Sequence, residues 1–402
     1  MNKPKIRFKG FEGEWKEKAL GDVVDEFKYG INAAAVSYDG ENKYLRITDI
    51  DEGSRAFIKD VLASPDADLS SCNEYIMQDG DIVIARTGAS VGKSYIYHPI
   101  DGKVYFAGFL IRARVNKNVD REFVFQNTLT DGFKKYIRFV SQRSGQPGVN
   151  AEELKSYLMN LPASLPEQRA IASYFTSLDA QIAASTSRLS SLKQIKAASL
   201  LNMFPQKGEM VPRVRFKGFE GEWKERKLGE VFSERVENNI NGQLLSVTLN
   251  KGIIRASENG KLDNSNSDKS KYKVVNINDI AYNSMRMWQG ASGCSKYEGI
   301  VSPAYTVITP KEDIDSSFFS YLFKTDIAIN KFRLHSQGLT SDNWNLKYPA
   351  FSKIDVYCPL DISEQRAIAS YFTALDAQIT LHRERLEKLK QIKAACLERM
   401  FA

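Results

Sequence analysis

LPEQRAIASYFTSLDAQIAASTSRLSSLKQIKAASLLNMF, residues 165–204, returns without a gap at 362–401 as ISEQRAIASYFTALDAQITLHRERLEKLKQIKAACLERMF, with 27 of 40 positions identical. From Glu167 to Met203 there is neither glycine nor proline. The stretch is dense in Ala, Leu, Lys, Gln and Ile, which favour helix, and Pro166 precedes it where a missing backbone N–H costs little. Apolar residues recur mostly three, four or seven apart: Leu178, Ile182, Leu189, Leu192, Ile195 and Met203, then Leu375, Ile379, Leu386, Leu389, Ile392, Cys396 and Met400. That spacing is a coiled-coil seam. Thirty-seven residues at 1.5 Å each give a rod of roughly 55 Å. So narrow an apolar stripe needs a partner helix, and the other copy in the same chain is expected to supply it, antiparallel, about a pseudo-two-fold axis.

A second repeat supports the first. PKIRFKGFEGEWKEKALGDV at 4–23 returns as PRVRFKGFEGEWKERKLGEV at 212–231, with 15 of 20 positions identical. Its Phe8, Phe11 and Trp15 are too large and apolar to stay exposed together, so this segment is expected to dock on the domain that follows. The chain is a tandem duplication in which each half is an opening motif, a long variable segment and a helix. The expected domains are 1–160, 161–204, 205–358 and 359–402. The linker 205–212 has proline at both ends and Gly208 within it.

The variable segments read as mixed α/β. In the first, strands are expected at 44–47, 81–85, 94–97 and 109–115, then one helix over 121–140, then a polar glycine loop at 141–150 leading to a last strand. The second follows the same order with different residues: DIAYNSMRMWQGASGCS at 279–295 stands where DIVIARTGASVGKS stands at 81–94. Heads built alike with different polar tips suggest related ligands read differently.

Composition bounds the function. The chain has 402 residues, 43% hydrophobic and 11% aromatic, enough to fill several cores. Neither a membrane span nor a signal peptide is suggested. Its four cysteines, Cys72, Cys294, Cys358 and Cys396, stand far apart, which fits a reducing cytoplasm and argues against structural zinc. A net charge of +7 is compatible with nucleic acid without requiring it. GASVGKS at 88–94 has three residues between its glycines where a phosphate loop has four, and a strand follows it instead of a helix. DGENK at 39–43 reads as a solvated turn. His98, His335 and His382 have no metal spacing. No G-x-S-x-G elbow and no Asn-Pro-Pro-aromatic run occurs. The chain reads as a recogniser without a catalytic site, and no metal or other cofactor is expected on it.

The two RFKGFEGEW openings, the Asp-Ile-hydrophobic run before ARTGASVGK, the Ser-Gln-polar-Gly loops ahead of strands ending in Pro162 or Pro359, and both EQRAIASYF-x-x-LDAQI helices together closely resemble the specificity subunits of type I restriction-modification systems. The resemblance spans nearly the whole chain. It implies an α+β fold of two target-recognition domains, separated by two long helices forming an antiparallel coiled coil, with each domain reading one half of a bipartite site on double-stranded DNA. It also implies assembly with two methyltransferase and two restriction-translocase subunits. These partners would carry adenine methylation and cleavage, with S-adenosylmethionine, ATP and magnesium. A rod of 25–37 residues separating the heads spans roughly 40–55 Å, or about 11–16 base pairs.

Base edges are read by Arg, Lys, Asn, Gln and Ser on tips that reach them, and phosphates by cations and glycine-loop amides. In the first head the candidates are Arg86, Thr87, Ser90 and Lys93, with Gln142, Arg143, Ser144 and Gln146. In the second they are Asn283, Arg286, Gln289 and Ser292, with Ser336, Gln337, Thr340, Ser341 and Asn343. Trp288 and Trp344 stand among polar residues, fit either to stack on bases or to pack in a core. The repeated polar residues Gln168, Arg169, Lys193, Gln194 and Lys196, with Gln365, Arg366, Lys390, Gln391 and Lys393, are the expected docking surface for methyltransferase subunits. A scaffold with two heads for ligands other than DNA is the rival reading, and a self-sufficient nuclease is disfavoured by the lack of a metal-acid cluster.

Overall fold

The computed structural model describes residues 3–249, 251–260, 268–340 and 343–401. The chain divides into two compact units, Met1–Arg188 with His382–Ala402, and Leu189–Leu381. Each long helix, Leu165–Asn202 or Ile362–Met400, begins in one unit and ends in the other. A helical region is therefore no compact body by itself: its two ends belong to different cores.

The first unit is built on a four-stranded antiparallel sheet in the order Val24–Tyr29, Leu110–Val115, Ile82–Ala85, Ser94–Ile96. The second repeats it as Phe232–Glu234, Tyr305–Pro310, Ile280–Asn283, Ser292–Cys294. The central strand Ile82–Ala85 is buried throughout and takes part in two cores, Ile82 and Ile84 on one face, Val83 and Ala85 on the other. This is the alternation a covered strand requires. The acid that opens each such run is structural. Asp81, 1% exposed, accepts the Gln78 amide at 2.8 Å and holds Arg114 through both oxygens at 2.8 and 2.9 Å. Asp279, equally buried, does the same with the Asn276 amide at 2.7 Å and with Arg235 at 2.7 and 3.2 Å.

The single helix expected over 121–140 is two, Arg121–Asn127 and Asp131–Val140. Thr130 stops the first and starts the second: its hydroxyl donates to the Asn127 carbonyl at 2.7 Å and accepts the Phe133 amide at 3.3 Å. Thr325 does likewise between Ser316–Leu322 and Asp326–His335. An apolar periodicity carries through such a break unaltered, whereas the capping hydroxyl is what redirects the backbone.

The duplicated opening motif seats each head on its helix. Arg7 donates to both oxygens of Glu167 at 2.7 and 2.8 Å and to the carbonyls of Gly13 and Glu12, while the Trp15 indole N–H reaches Glu167 at 3.3 Å. The second unit repeats this with Arg215, Glu364, Gly221, Glu220 and Trp223. Glu167 and Glu364 are each 2% exposed, so these fork-shaped pairs are shielded and strong. The hydrogen bond to the carboxylate raises both guanidinium pKa values. Phe8 packs edge-on against Tyr174, and Phe216 against Tyr371.

Within each unit the two long helices run antiparallel. In the first, Tyr174 meets Cys396 at 3.4 Å and Asp179 meets Lys393 at 2.5 Å. In the second, Ser199 meets Tyr371 at 2.8 Å and Lys196 meets Asp376 at 2.5 Å. Leu178, Leu189, Leu192, Leu386 and Leu389 are buried as the seam requires. Ile195 and Ile392 depart from it, at 43% and 36% exposed.

Candidate nucleic-acid interface

In the first head the two loops marked in the sequence meet. Thr87 forms an antiparallel bridge with Gly148, the Gly88 amide donates to the Pro147 carbonyl at 2.9 Å, and Val149 donates to the Arg86 carbonyl at 2.8 Å. The turn favours a glycine, because Gly88 has φ +75° in the left-handed region. The joined loops therefore form one surface at the strand ends on one side of the sheet. Gln142, Arg143, Ser144 and Gln146 are exposed on it, while Arg86, Thr87 and Ser90 are half-buried.

Arg86 lies 4.9 Å over the ring of Tyr29, and its amide donates to the carbonyl of Phe109, a residue 61% exposed. Tyr29 and Phe109 belong to the same surface and were missed in the sequence. Phe109 reads there as the start of a strand and Tyr29 falls in no expected element, and nothing local signals that a strand end will carry an exposed ring. Arg143 is engaged: it donates to the carbonyls of Val140 at 2.6 Å and Gln142 at 3.0 Å and pairs with Glu153. Lys93 departs from expectation. It is 9% exposed, with its ammonium against the Ile50 carbonyl at 3.0 Å and Glu52 at 3.3 Å, so it ties the 47–52 turn to the hairpin instead of projecting from a tip.

The second head joins its loops by other contacts. Leu346 donates to the Ser284 carbonyl at 2.8 Å, Gln337 and Asn345 form an antiparallel bridge, and Trp288 meets Trp344 edge-on with centroids 5.3 Å apart. The tryptophans thus pack on each other across the loop junction, half-buried. Arg286, Gln289, Gln337, Thr340 and Asn343 are exposed, and Arg286 has no side-chain partner among the described residues. Asn283 is half-buried, its side chain accepting the Met285 amide at 3.0 Å. Ser336 donates to the Phe332 carbonyl at 2.8 Å and closes a helix end. Ser292 departs from expectation: it is fully buried as a sheet residue paired with Tyr282. Ser341 lies outside the described residues.

The repeated polar residues of the helices divide into two sets. Gln168, 2% exposed, accepts the Asp120 amide at 2.8 Å and donates to the Pro162 carbonyl at 2.8 Å. Gln365 does the same with Asp315 and Pro359, both at 2.9 Å. Lys196 and Lys393 are spent on Asp376 and Asp179. Each of these four fastens its own unit internally, so their repetition follows from internal packing, contrary to the expectation that repetition marked a docking surface. Arg169, Lys193, Gln194, Arg366, Lys390 and Gln391 remain exposed.

Among the described residues no group of His, Cys, Asp or Glu is placed to hold a metal ion, and no helix is long and apolar enough to cross a membrane. Two heads of one plan, each joining two polar loops at the end of a sheet and each seated on a long helix, define a tandem recognition protein.

The model of the type I restriction modification DNA specificity domain matches residues 12–194 and again 220–391, and the chain belongs to that family. It is a non-catalytic subunit that recognises DNA sequence in type I restriction-modification. Its fold is similar to that of a type I restriction-modification S subunit from M. genitalium, at 14% identity with a TM-score of 0.66 over 100% of this chain and 99% of that one. An HsdS subunit from Thermoanaerobacter tengcongensis matches at 16% identity with a TM-score of 0.42, over 96% of each chain.

Proposed function

We propose that each head reads one half of a bipartite site on double-stranded DNA, the first through the surface around Arg86, Thr87, Gln142 and Gln146, the second through Arg286, Gln289, Gln337, Thr340 and Asn343. The observation that carries this is the joining of two polar loops, remote in sequence, into one exposed surface in each head, with residues that differ between heads on a common frame. Residues 1–160 and 205–358 are the recognition domains, and 161–204 and 359–402 the helices that set the spacing of the half-sites.

Two methyltransferase subunits dock on the helices through Arg169, Lys193 and Gln194 and through Arg366, Lys390 and Gln391. Ile195 and Ile392 support this, since an apolar residue left exposed at the same place in both copies suits a face that a second protein covers. Restriction-translocase subunits join that assembly in the cytoplasm, and S-adenosylmethionine, ATP and magnesium bind to the partners.

Arg286→Ala is expected to weaken recognition of one half-site by ~1–3 kcal/mol if the side chain reads a base, with the other half-site unaffected. Arg143→Ala is expected to cost less, because its guanidinium already has Glu153. Mapping of modified adenines in cells carrying each variant checks both. Equal loss at both half-sites contradicts the assignment.

A further inference from the structure

Lys324 sits between the helices Ser316–Leu322 and Asp326–His335 and turns inward. Its ammonium donates to the carbonyl of Gly290 and, at 3.0 Å, to that of Ser292. These carbonyls close the turn Met287–Gln289, which carries Trp288 and Gln289 and follows Arg286. Gly290 has φ +82°, and a Cβ there would meet Ile329 at 3.4 Å and the Lys324 stem at 3.7 Å, so the turn lies close over the start of the helix Asp326–His335 and is tied to it by the Lys324 hydrogen bonds.

The sister head shows that the fold does not require a lysine here. The Thr130 and Thr325 caps put the two heads in register, and the residue before each cap is Leu129 in one and Lys324 in the other. Leu129 is 8% exposed and packs in the core. Placing a cation in that position is costly. Burial, with Lys196 acting in the same direction and Asp376 against it, lowers the Lys324 pKa to about 8. A residue that the frame does without, held at such a cost and aimed at one loop, serves the loop.

We infer that Lys324 is a positioning residue for recognition by the second head alone, fixing the Arg286–Gln289 turn through the carbonyls of Gly290 and Ser292. It touches no base and acts through the side chains on that turn. The inference rests on the reading of these loops as DNA-contacting.

The test is adenine-modification mapping in cells carrying the full system with the unaltered chain, Lys324→Leu or Lys324→Arg. The unaltered chain must first return a bipartite motif; a single uninterrupted one refutes the assignment of one half-site to each head. With that motif in hand, Lys324→Leu is expected to relax one half, raising modification at sites mismatched there by roughly fivefold, the lower end of what one base contact discriminates. The other half stays strict. Lys324→Arg, which keeps a cationic donor, restores the relaxed half. The purified Leu variant is also expected to lose the circular-dichroism couplet of the Trp288–Trp344 pair while keeping its helical signal. A Leu variant that reads both halves normally, one that loses both, or an Arg variant as relaxed as Leu overturns the inference.

Discussion

Glu364→Ala is expected to destabilise the second unit by about 3 kcal/mol, the lower end of the range for removing one partner of a buried ion pair. The carboxylate is 2% exposed and serves three donors at once, both arms of Arg215 and the indole of Trp223. Its removal strands a guanidinium and an indole N–H and empties the space between them. The lower figure applies because the Arg215 side chain is 14% exposed and can turn partly to water. For a unit of this size, ~3 kcal/mol corresponds to a fall in Tm of roughly 6–12 °C. Glu167→Ala should do the same in the first unit, since the geometry there is equivalent.

The control is the pair replaced as a whole. Arg215→Met with Glu364→Leu should recover most of the loss, because matched apolar side chains leave no uncompensated charge. Thermal melts of the unaltered chain, Arg215→Met, Glu364→Leu and the double variant give the coupling energy. A double variant as unstable as Glu364→Ala shows that packing, not the charge pair, holds the opening motif.

This clamp also marks the limit of what the residues alone disclosed. The repetition of RFKGFEGEW and EQRAIASYF was plain, and docking of Phe8 and Trp15 followed from their size. Nothing in the spacing said that Arg7 reaches Glu167, 160 positions away, or that Gln168 spends its amide on Asp120 and Pro162. Repetition was read as a sign of an outside partner, yet a duplicated fold must repeat its internal fasteners too. In the heads, the glycine and polar runs located the loops, because tight turns limit the choice of residue. Which side chains face outward was beyond local signal. Lys93 and Ser292 lie in the same runs as Arg86 and Arg286, and only tertiary packing turns the first two inward.

Lengthening both long helices by four residues, between 183 and 187 and at the matching place between 380 and 384, is expected to shift the modified motif to a spacer longer by about two base pairs. Four residues add ~6 Å and approximate one helical turn, so each head keeps its face. DNA rises ~3.4 Å per pair. Both insertions are needed. On the first helix, Asp179 and Lys196 flank the insertion; on the second, Asp376 and Lys393 do. Extending one helix alone forces either Asp179–Lys393 or Lys196–Asp376 out of register, whereas matched insertion preserves both. Half-site bases should stay the same, since no loop is altered, while modification at sites of the original spacing falls more than tenfold, a penalty of at least ~1.4 kcal/mol. If matched insertion leaves the spacer unchanged in a stable, active complex, the helices do not measure the distance between half-sites, and the spacing must be set by the partner subunits.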